Sequence, residues 1–204
     1  MAATAGVATP IQPYRNTFNG TGIQPVRRLL EKAGQTFYQG TPVQIDVAGA
    51  TGFLIACPTM TSAATALIAG ISTEAASNLT TSGVAKTQNL SYSVPNQPNA
   101  VVTPIGSPIN DGRCGLVTAY DEQSFQGLVG NSNTAANATL AQTMVGAIFG
   151  LTKDATTGFW YVDNYITTAG TGACVEIVDL IDPVGTLNGR VEFRVTSAAS
   201  QLQT

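Results

Sequence analysis

Residues 188–195 read Asn-Gly-Arg-Val-Glu-Phe-Arg-Val, and this stretch decides the fold class. Apolar and charged residues alternate after the Asn188-Gly189 turn, a period of two that predicts a β-strand with one face in a core. Arg190, Glu192 and Arg194 are expected to face water or a neighbouring molecule. Because a slip of one residue would bury all three charges, the strand's pairing should be well fixed.

Further β signals lie upstream of this strand. Two apolar runs, residues 147–152 and 159–162, flank a polar turn that ends in glycine, which is the pattern of a hairpin. The apolar run 174–181 and the shorter runs within 36–47 and 53–71 also favour strands, although the alanines of the last run could hold a helical turn or two. The sequence therefore predicts a mainly β fold, a compact β-barrel or β-sandwich body with few short helical turns.

Composition limits the chemistry that this chain can perform. Its 204 residues include no histidine, and only nine Lys or Arg and twelve Asp or Glu, a charged fraction of 10%. Histidine is the usual acid or base near neutral pH, and soluble proteins average about 25% charged residues. A lightly charged surface rich in Thr, Asn and Ser suits contacts with other molecules. The composition favours a structural or binding protein over an enzyme.

Carboxylates and thiols are the remaining candidates for catalysis or metal binding. The carboxylates are expected to be single, solvated or capping groups, and no calcium-loop motif is present. They are Glu74, Asp121, Glu122, Asp163, Glu176, Asp179 and Asp182. Cys57, Cys114 and Cys174 are far apart in the sequence and match no zinc or redox spacing, so they are expected to be buried free thiols. The sequence thus predicts no catalytic residue, cofactor or metal.

The first 30 residues differ from the rest of the chain. Residues 1–45 hold four cations against Glu31 alone, a net charge of +3, whereas the whole chain carries −3. Apolar residues are sparse there, which predicts an extended arm over residues 1–30 that is either disordered or ordered against a partner. The body is expected to span 31–196, alternatively as two β units split near 110–140, with a flexible tail at 197–204. The candidate partner contacts are Ile11, Tyr14, Arg15, Phe18, Arg27 and Arg28. Four cations are too few for nucleic acid.

Several segments resemble one known family. Residues 140–154, 160–163 and 175–195, together with 33–43 and 68–72, are similar to the β elements of head decoration (cement) proteins of tailed bacteriophages. The resemblance implies a β-rich protein that binds the major capsid protein on the outside of the expanded shell and stabilises it. It also implies a homo-oligomer, often a trimer at three-fold positions, and an N-terminal arm that lies on the capsid or on a neighbouring subunit.

Other functions are compatible with the same residues. A tail-tube or other virion structural protein is one alternative, and a carbohydrate-binding β module with Trp160 as its stacking platform is another. The chain shows no secretory signal pattern and no apolar run long enough to span a membrane. Synthesis in the host bacterial cytoplasm and a final place on the virion surface are therefore expected. Removal of residues 1–28 is expected to weaken partner binding while the β body stays folded.

Overall fold

A computed structural model gives the fold of most of the chain. The described residues are 9–16, 26–32, 35–47, 52–58, 67–76, 113–120, 123–167 and 172–202. Within them the fold is mainly β, which confirms the predicted class, and it contains no helix of seven or more residues. Short 3-10 turns occur at Ala135–Asn137, Gln142–Met144 and Ser197–Ala199. Phe18 and the pair Asp121 and Glu122 lie outside the described residues, as does the stretch 82–111, whose prolines predict edge strands joined by loops.

Eleven strands are described. They are β1 (Gln12–Asn16), β2 (Val26–Leu30), β3 (Pro42–Ile45), β4 (Leu54–Ala56), β5 (Gly70–Ser72), β6 (Arg113–Thr118), β7 (Gln123–Gly130), β8 (Ile148–Lys153), β9 (Trp160–Asp163), β10 (Ala173–Leu180) and β11 (Arg190–Val195).

Five of these strands form a closed barrel. Their order is β7-β11-β10-β8-β9, and β9 returns to pair in parallel with β7 through Val129 and Val162. All other barrel pairings are antiparallel. Strand β1 adds to the outside edge of β7, with a register shift between Pro13 and Arg15. Proline is tolerated there because an outer strand does not need every backbone donor.

The remaining strands form a second sheet with the order β2-β6-β5-β3-β4. A bridge between Glu31 and Leu54 brings its two outer strands together at one end. The main core contains Ile71 and Val117 from this sheet beside Phe125 and Phe193 from the barrel. The two sheets therefore pack together around this core, and the second sheet has a further core of its own that includes Phe37, Val43 and Leu54. The chain passes from the second sheet to the barrel between β6 and β7, inside the stretch where the sequence allows a split.

The strongest sequence signals are confirmed as elements. Strands β8 and β9 form the predicted hairpin, and Gly158 in its turn has a φ of 77°, a left-handed conformation that favours glycine. In β11 the alternate apolar side chains are buried, and Arg190 and Arg194 are exposed as expected. The expectation for Glu192 is wrong, because only 4% of this residue is exposed. Strand β1 pairs with β7, the neighbour of β11, and places Arg15 Nη2 3.6 Å from Oε2 of Glu192.

The N-terminal segment contributes to both sheets. Ile11 is 1% exposed and belongs to the main core, and β1 and β2 each pair with an internal strand of the body. The backbone of Ile11 also packs closely against Gly40, where an added Cβ atom would lie 2.6 Å from the Ile11 carbonyl oxygen. Removing residues 1–28 would therefore expose core side chains and delete β1 and three of the five residues of β2. It cannot serve as a clean test of partner binding.

Residues 197–202, which the sequence places in a flexible tail, form a C-terminal strap across the two sheets. The Ser200 hydroxyl donates to the Ala119 carbonyl at 2.6 Å, and the Ile68 amide donates to the Ala199 carbonyl at 2.7 Å. The Gln201 side chain makes two bonds to the backbone of Ile45, at 2.6 and 2.9 Å. The Gln201 side-chain amide thus satisfies the backbone N–H and C=O of Ile45, in the place where a neighbouring strand would otherwise bond to them.

Candidate interaction surface

The candidate contact residues of the N-terminal segment lie on the outer strands of the two sheets. Strand β1 is the outermost strand of the six-stranded sheet, and β2 is at one end of the order of the other sheet. Tyr14 and Arg15 belong to β1, and Arg27 and Arg28 belong to β2. Ile11 precedes β1 and is buried, so it anchors the segment and cannot reach a partner while the fold is intact.

Arg15 joins β1 to the outer face of the barrel. Its guanidinium lies 4.8 Å from the centre of the Tyr14 ring, and its Nη2 donates to the Tyr14 hydroxyl at 3.3 Å. The same Nη2 lies 3.6 Å from Oε2 of Glu192, whose other oxygen accepts a bond from the Ser124 hydroxyl at 2.6 Å. The Tyr14 hydrogen bond and then the Glu192 charge raise the pKa of Arg15, so it stays a cation at this exposed edge.

A second group of cations lies on β2 and β6. Arg28 forms an ion pair with Glu74 at 3.6 Å, and its Nη2 donates to the carbonyl of Arg113 at 3.2 Å. Arg27 lies over the Tyr120 ring at 5.6 Å. All three arginines are exposed. Three of the nine cations of the chain therefore lie on two neighbouring strands, and two of them, Arg28 and Arg113, are in contact, in a protein whose overall charge is negative.

Arg113, Tyr120 and Glu192 complete these two groups, and the sequence did not mark them as contact residues. Arg113 pairs across the sheet with Leu30, far from it in sequence. Alternation predicts on which face of the strand Glu192 lies, but it does not predict whether other residues cover that face. The sequence contained one indication of these contacts: the cations near residue 28 outnumber the nearby carboxylates, so they are expected to interact with residues elsewhere in the chain.

The carboxylates named from the sequence that lie within the described residues form no common cluster. Asp182 pairs with Arg190 at 2.7 Å and Glu176 with Arg194 at 2.9 Å, both near the surface. Asp163 differs from the expectation, because it is completely buried. Its oxygens accept bonds from the Thr152 hydroxyl at 2.7 Å and from two backbone amides at 3.1 Å, so its role is structural. Among the described residues, no cluster of three or more metal-ligating side chains is found.

The three cysteines are free and buried, as predicted. Burial raises the pKa of the Cys57 thiol and raises that of Cys174 to about 12. These thiols are therefore protonated at neutral pH and are unsuited to nucleophilic chemistry. Trp160, the predicted stacking platform for a sugar, is 2% exposed and cannot present its ring to a ligand.

The parts of the chain that the structure describes contain no helix long and apolar enough to cross a membrane. Comparison of the chain with protein-family models, with curated proteins and with solved structures found no match.

Proposed function

We propose that this protein is a bacteriophage head decoration protein, which binds the outside of the expanded capsid and stabilises the shell. The proposal is supported by the resemblance of the segments in β3, β5 and β8–β11 to that family. It is also supported by a β body whose N-terminal segment, the part that such proteins use as an arm, carries exposed cations on two outer strands.

The observation that carries the proposal is the set of exposed arginines on the second sheet, where Arg28 contacts Arg113 and Arg27 lies beside Arg28 in β2. Guanidinium groups bind carboxylates in paired hydrogen bonds, so the matching partner is an acidic surface of the major capsid protein. Tyr14 and Arg15 form a second contact on the barrel edge, where an aromatic ring and a cation supply the residue types that dominate interfaces.

Stabilisation of a shell needs no chemical reaction. A ligand that binds only the assembled form lowers the free energy of that form, by about 2.7 kcal/mol at a concentration 100 times its dissociation constant. In the proposed homo-oligomer, a trimer, each copy would add its own contact. Joined contacts raise the overall affinity without any new interaction.

Co-sedimentation with expanded, undecorated capsids of the cognate phage tests this function. The wild-type protein is expected to pellet with the shells and to saturate at a fixed ratio to capsid protein. The double variant Arg27→Ala and Arg28→Ala should pellet less, and the loss should shrink as salt is raised, because exposed charges are screened. The control is Lys153→Ala, which removes a cation from barrel strand β8 and should bind like wild type. No binding of the wild-type protein to the cognate shell would refute the proposal.

A further inference from the structure

One end of the barrel is closed by three connections in which the charged residue is Asp182, paired at 2.7 Å with Arg190 at the start of β11. Strands β7, β9 and β10 run parallel to one another, so the connections that follow them leave the barrel at the same end. We call residues 131–147, 164–167 and 183–189 of these connections the cap. They contain no Asp, Glu, Lys or Arg. The hydrogen bonds that join the barrel to the second sheet through the C-terminal strap lie at the other end.

The cap is held in one conformation by hydrogen bonds between its parts. Asn131 Nδ2 donates to Asn164 Oδ1 at 2.6 Å, and Asn164 Nδ2 donates to the Asn137 carbonyl at 2.8 Å. Leu140 and the 183–189 turn exchange two backbone bonds, from Leu140 to Thr186 at 3.0 Å and from Gly185 to Leu140 at 2.9 Å. A surface that is ordered before binding loses little conformational entropy when a ligand arrives.

Tyr165 is the aromatic side chain that this cap presents to solvent. The residue is 59% exposed, and its backbone amide donates to the buried carboxylate of Asp163 at 3.1 Å. Its ring is thus outside the core while its backbone is anchored to the barrel. The preceding residue, Asn164, is bonded to Asn137, which is exposed, and Asn133 and Thr134 of the same connection are exposed as well. Exposed amide and hydroxyl side chains therefore occur on the connection to which Asn164, the residue before Tyr165, is bonded.

This combination matches an uncharged sugar. The face of an aromatic ring is negative and attracts the weakly positive C–H groups on the apolar face of a pyranose ring. Amide and hydroxyl side chains can both donate to and accept from sugar hydroxyls. The cap itself contains no cation, and the neighbouring Arg190 is already paired with Asp182, so the cap has no unpaired cation for a phosphate, sulfate or carboxylate group. We propose that the cap is a binding site for neutral carbohydrate, with Tyr165 as the stacking platform and Asn133 and Asn137 as hydrogen-bonding groups.

The site does not depend on the proposed capsid contact, since it uses a different end of the molecule. One aromatic ring supports only weak binding, with a dissociation constant on the order of 1 mM. Many copies on one particle would convert such weak sites into firm attachment to a glycan-coated surface. A contact between protein molecules through Val184 and Leu187, which are 59% and 54% exposed, is the competing use of the same cap.

The test uses the full chain and an array of neutral oligosaccharides built from glucose, galactose, mannose and N-acetylhexosamines, with sialylated and sulfated glycans for comparison. At least one neutral oligosaccharide should bind, and saturation-transfer NMR should place its ring protons against the protein. Tyr165→Ala should weaken this binding about tenfold, and Tyr165→Phe should preserve it, because stacking needs the ring and not the hydroxyl. Val47→Ala is the control, since Val47 is 66% exposed on the other sheet.

Three results would overturn the proposal. The first is that no neutral oligosaccharide binds at about 10 mM, a concentration that would nearly fill a site with a dissociation constant of about 1 mM. The second is binding that is unchanged in Tyr165→Ala, and the third is a preference for charged glycans. Sedimentation velocity tests whether the cap is instead a contact between protein molecules. If the chain self-associates and Leu187→Ser abolishes that association, the cap is a protein contact. The Tyr165→Ala protein should still pellet with capsids, so failure of this proposal and failure of the decoration proposal are distinguishable.

Discussion

At the scale of single residues, two carboxylates show how burial changes the role of an acid. Asp163 and Glu192 follow sequence patterns of turns and exposed strand faces, yet both are buried. Asp163 is saturated by hydrogen bonds from Thr152, Ser132 and Tyr165. Glu192 is covered by Ser124 and Arg15. Neither set of partners is adjacent in sequence, so the pattern around each acid could not reveal them.

Asp163→Ala is expected to destabilise the fold strongly. The substitution leaves two backbone amides and the Thr152 hydroxyl without their acceptor inside the protein, which costs about 3 kcal/mol in free energy of unfolding. Urea unfolding followed by circular dichroism measures the loss. Asp179→Ala is the control, because that residue is exposed. Equal urea midpoints for Asp163→Ala and Asp179→Ala would show that the hydrogen bonds to Asp163 do not stabilise the fold.

The Asp182–Arg190 pair should make stability depend on pH. Hydrogen bonds from the Arg190 side chain and backbone lower the pKa of Asp182 below its ordinary value of 3.8. A carboxyl group with a lowered pKa in the folded state stabilises that state above the unfolded pKa, and this contribution is lost as the pH falls through the folded pKa. The difference in unfolding free energy between wild type and Asp182→Asn should therefore be present at pH 7 and shrink at pH 2.

Val184→Ala provides the control for that measurement, because it removes an exposed apolar group next to the same turn and changes no ionisable group. Its effect on unfolding free energy should be similar at both pH values. A difference for Asp182→Asn that is as large at pH 2 as at pH 7 would contradict the role assigned to the ion pair.

At the scale of elements, the sequence predicted the strands and turns that depend on neighbouring residues in the chain. Strand β11 and the β8–β9 hairpin follow from alternation and from turn residues such as Gly158. The ribbon expected over residues 36–47 is shorter, because a turn at Gly40 packs against Ile11 and the strand begins only at Pro42. A single isoleucine has no periodicity, so its place in the core could not be read from the sequence.

The C-terminal strap is the element that sequence reasoning missed most clearly. Its bonds go to the backbone of Ile45, Ile68 and Ala119, and backbone groups carry no sequence signature. Gln201→Ala should lower the free energy of unfolding by about 1–3 kcal/mol, since the amide and carbonyl of Ile45 both lose a partner. Gln142→Ala, at an exposed position, is the matched control. Unchanged thermal unfolding of Gln201→Ala would show that the strap does not couple the sheets.

At the scale of the whole molecule, the fold separates three surfaces. The exposed arginines of β2 and β6 lie on the second sheet, Tyr14 and Arg15 lie on the barrel edge, and the charge-free cap closes one end of the barrel. The sequence indicated the first two through the charge of residues 1–45. It could not indicate the cap, because the connections that form it become neighbours only when the barrel closes.

The melting temperature of expanded capsids, measured by scanning calorimetry while the purified protein is added, tests the proposed function most directly. A protein that binds only the assembled shell must raise the temperature at which the shell disassembles. We predict a rise that grows with added protein, stops at a fixed ratio to capsid protein, and is smaller for the Arg27→Ala and Arg28→Ala double variant. A capsid transition that stays at the same temperature at every ratio would contradict the claim that this protein stabilises the shell.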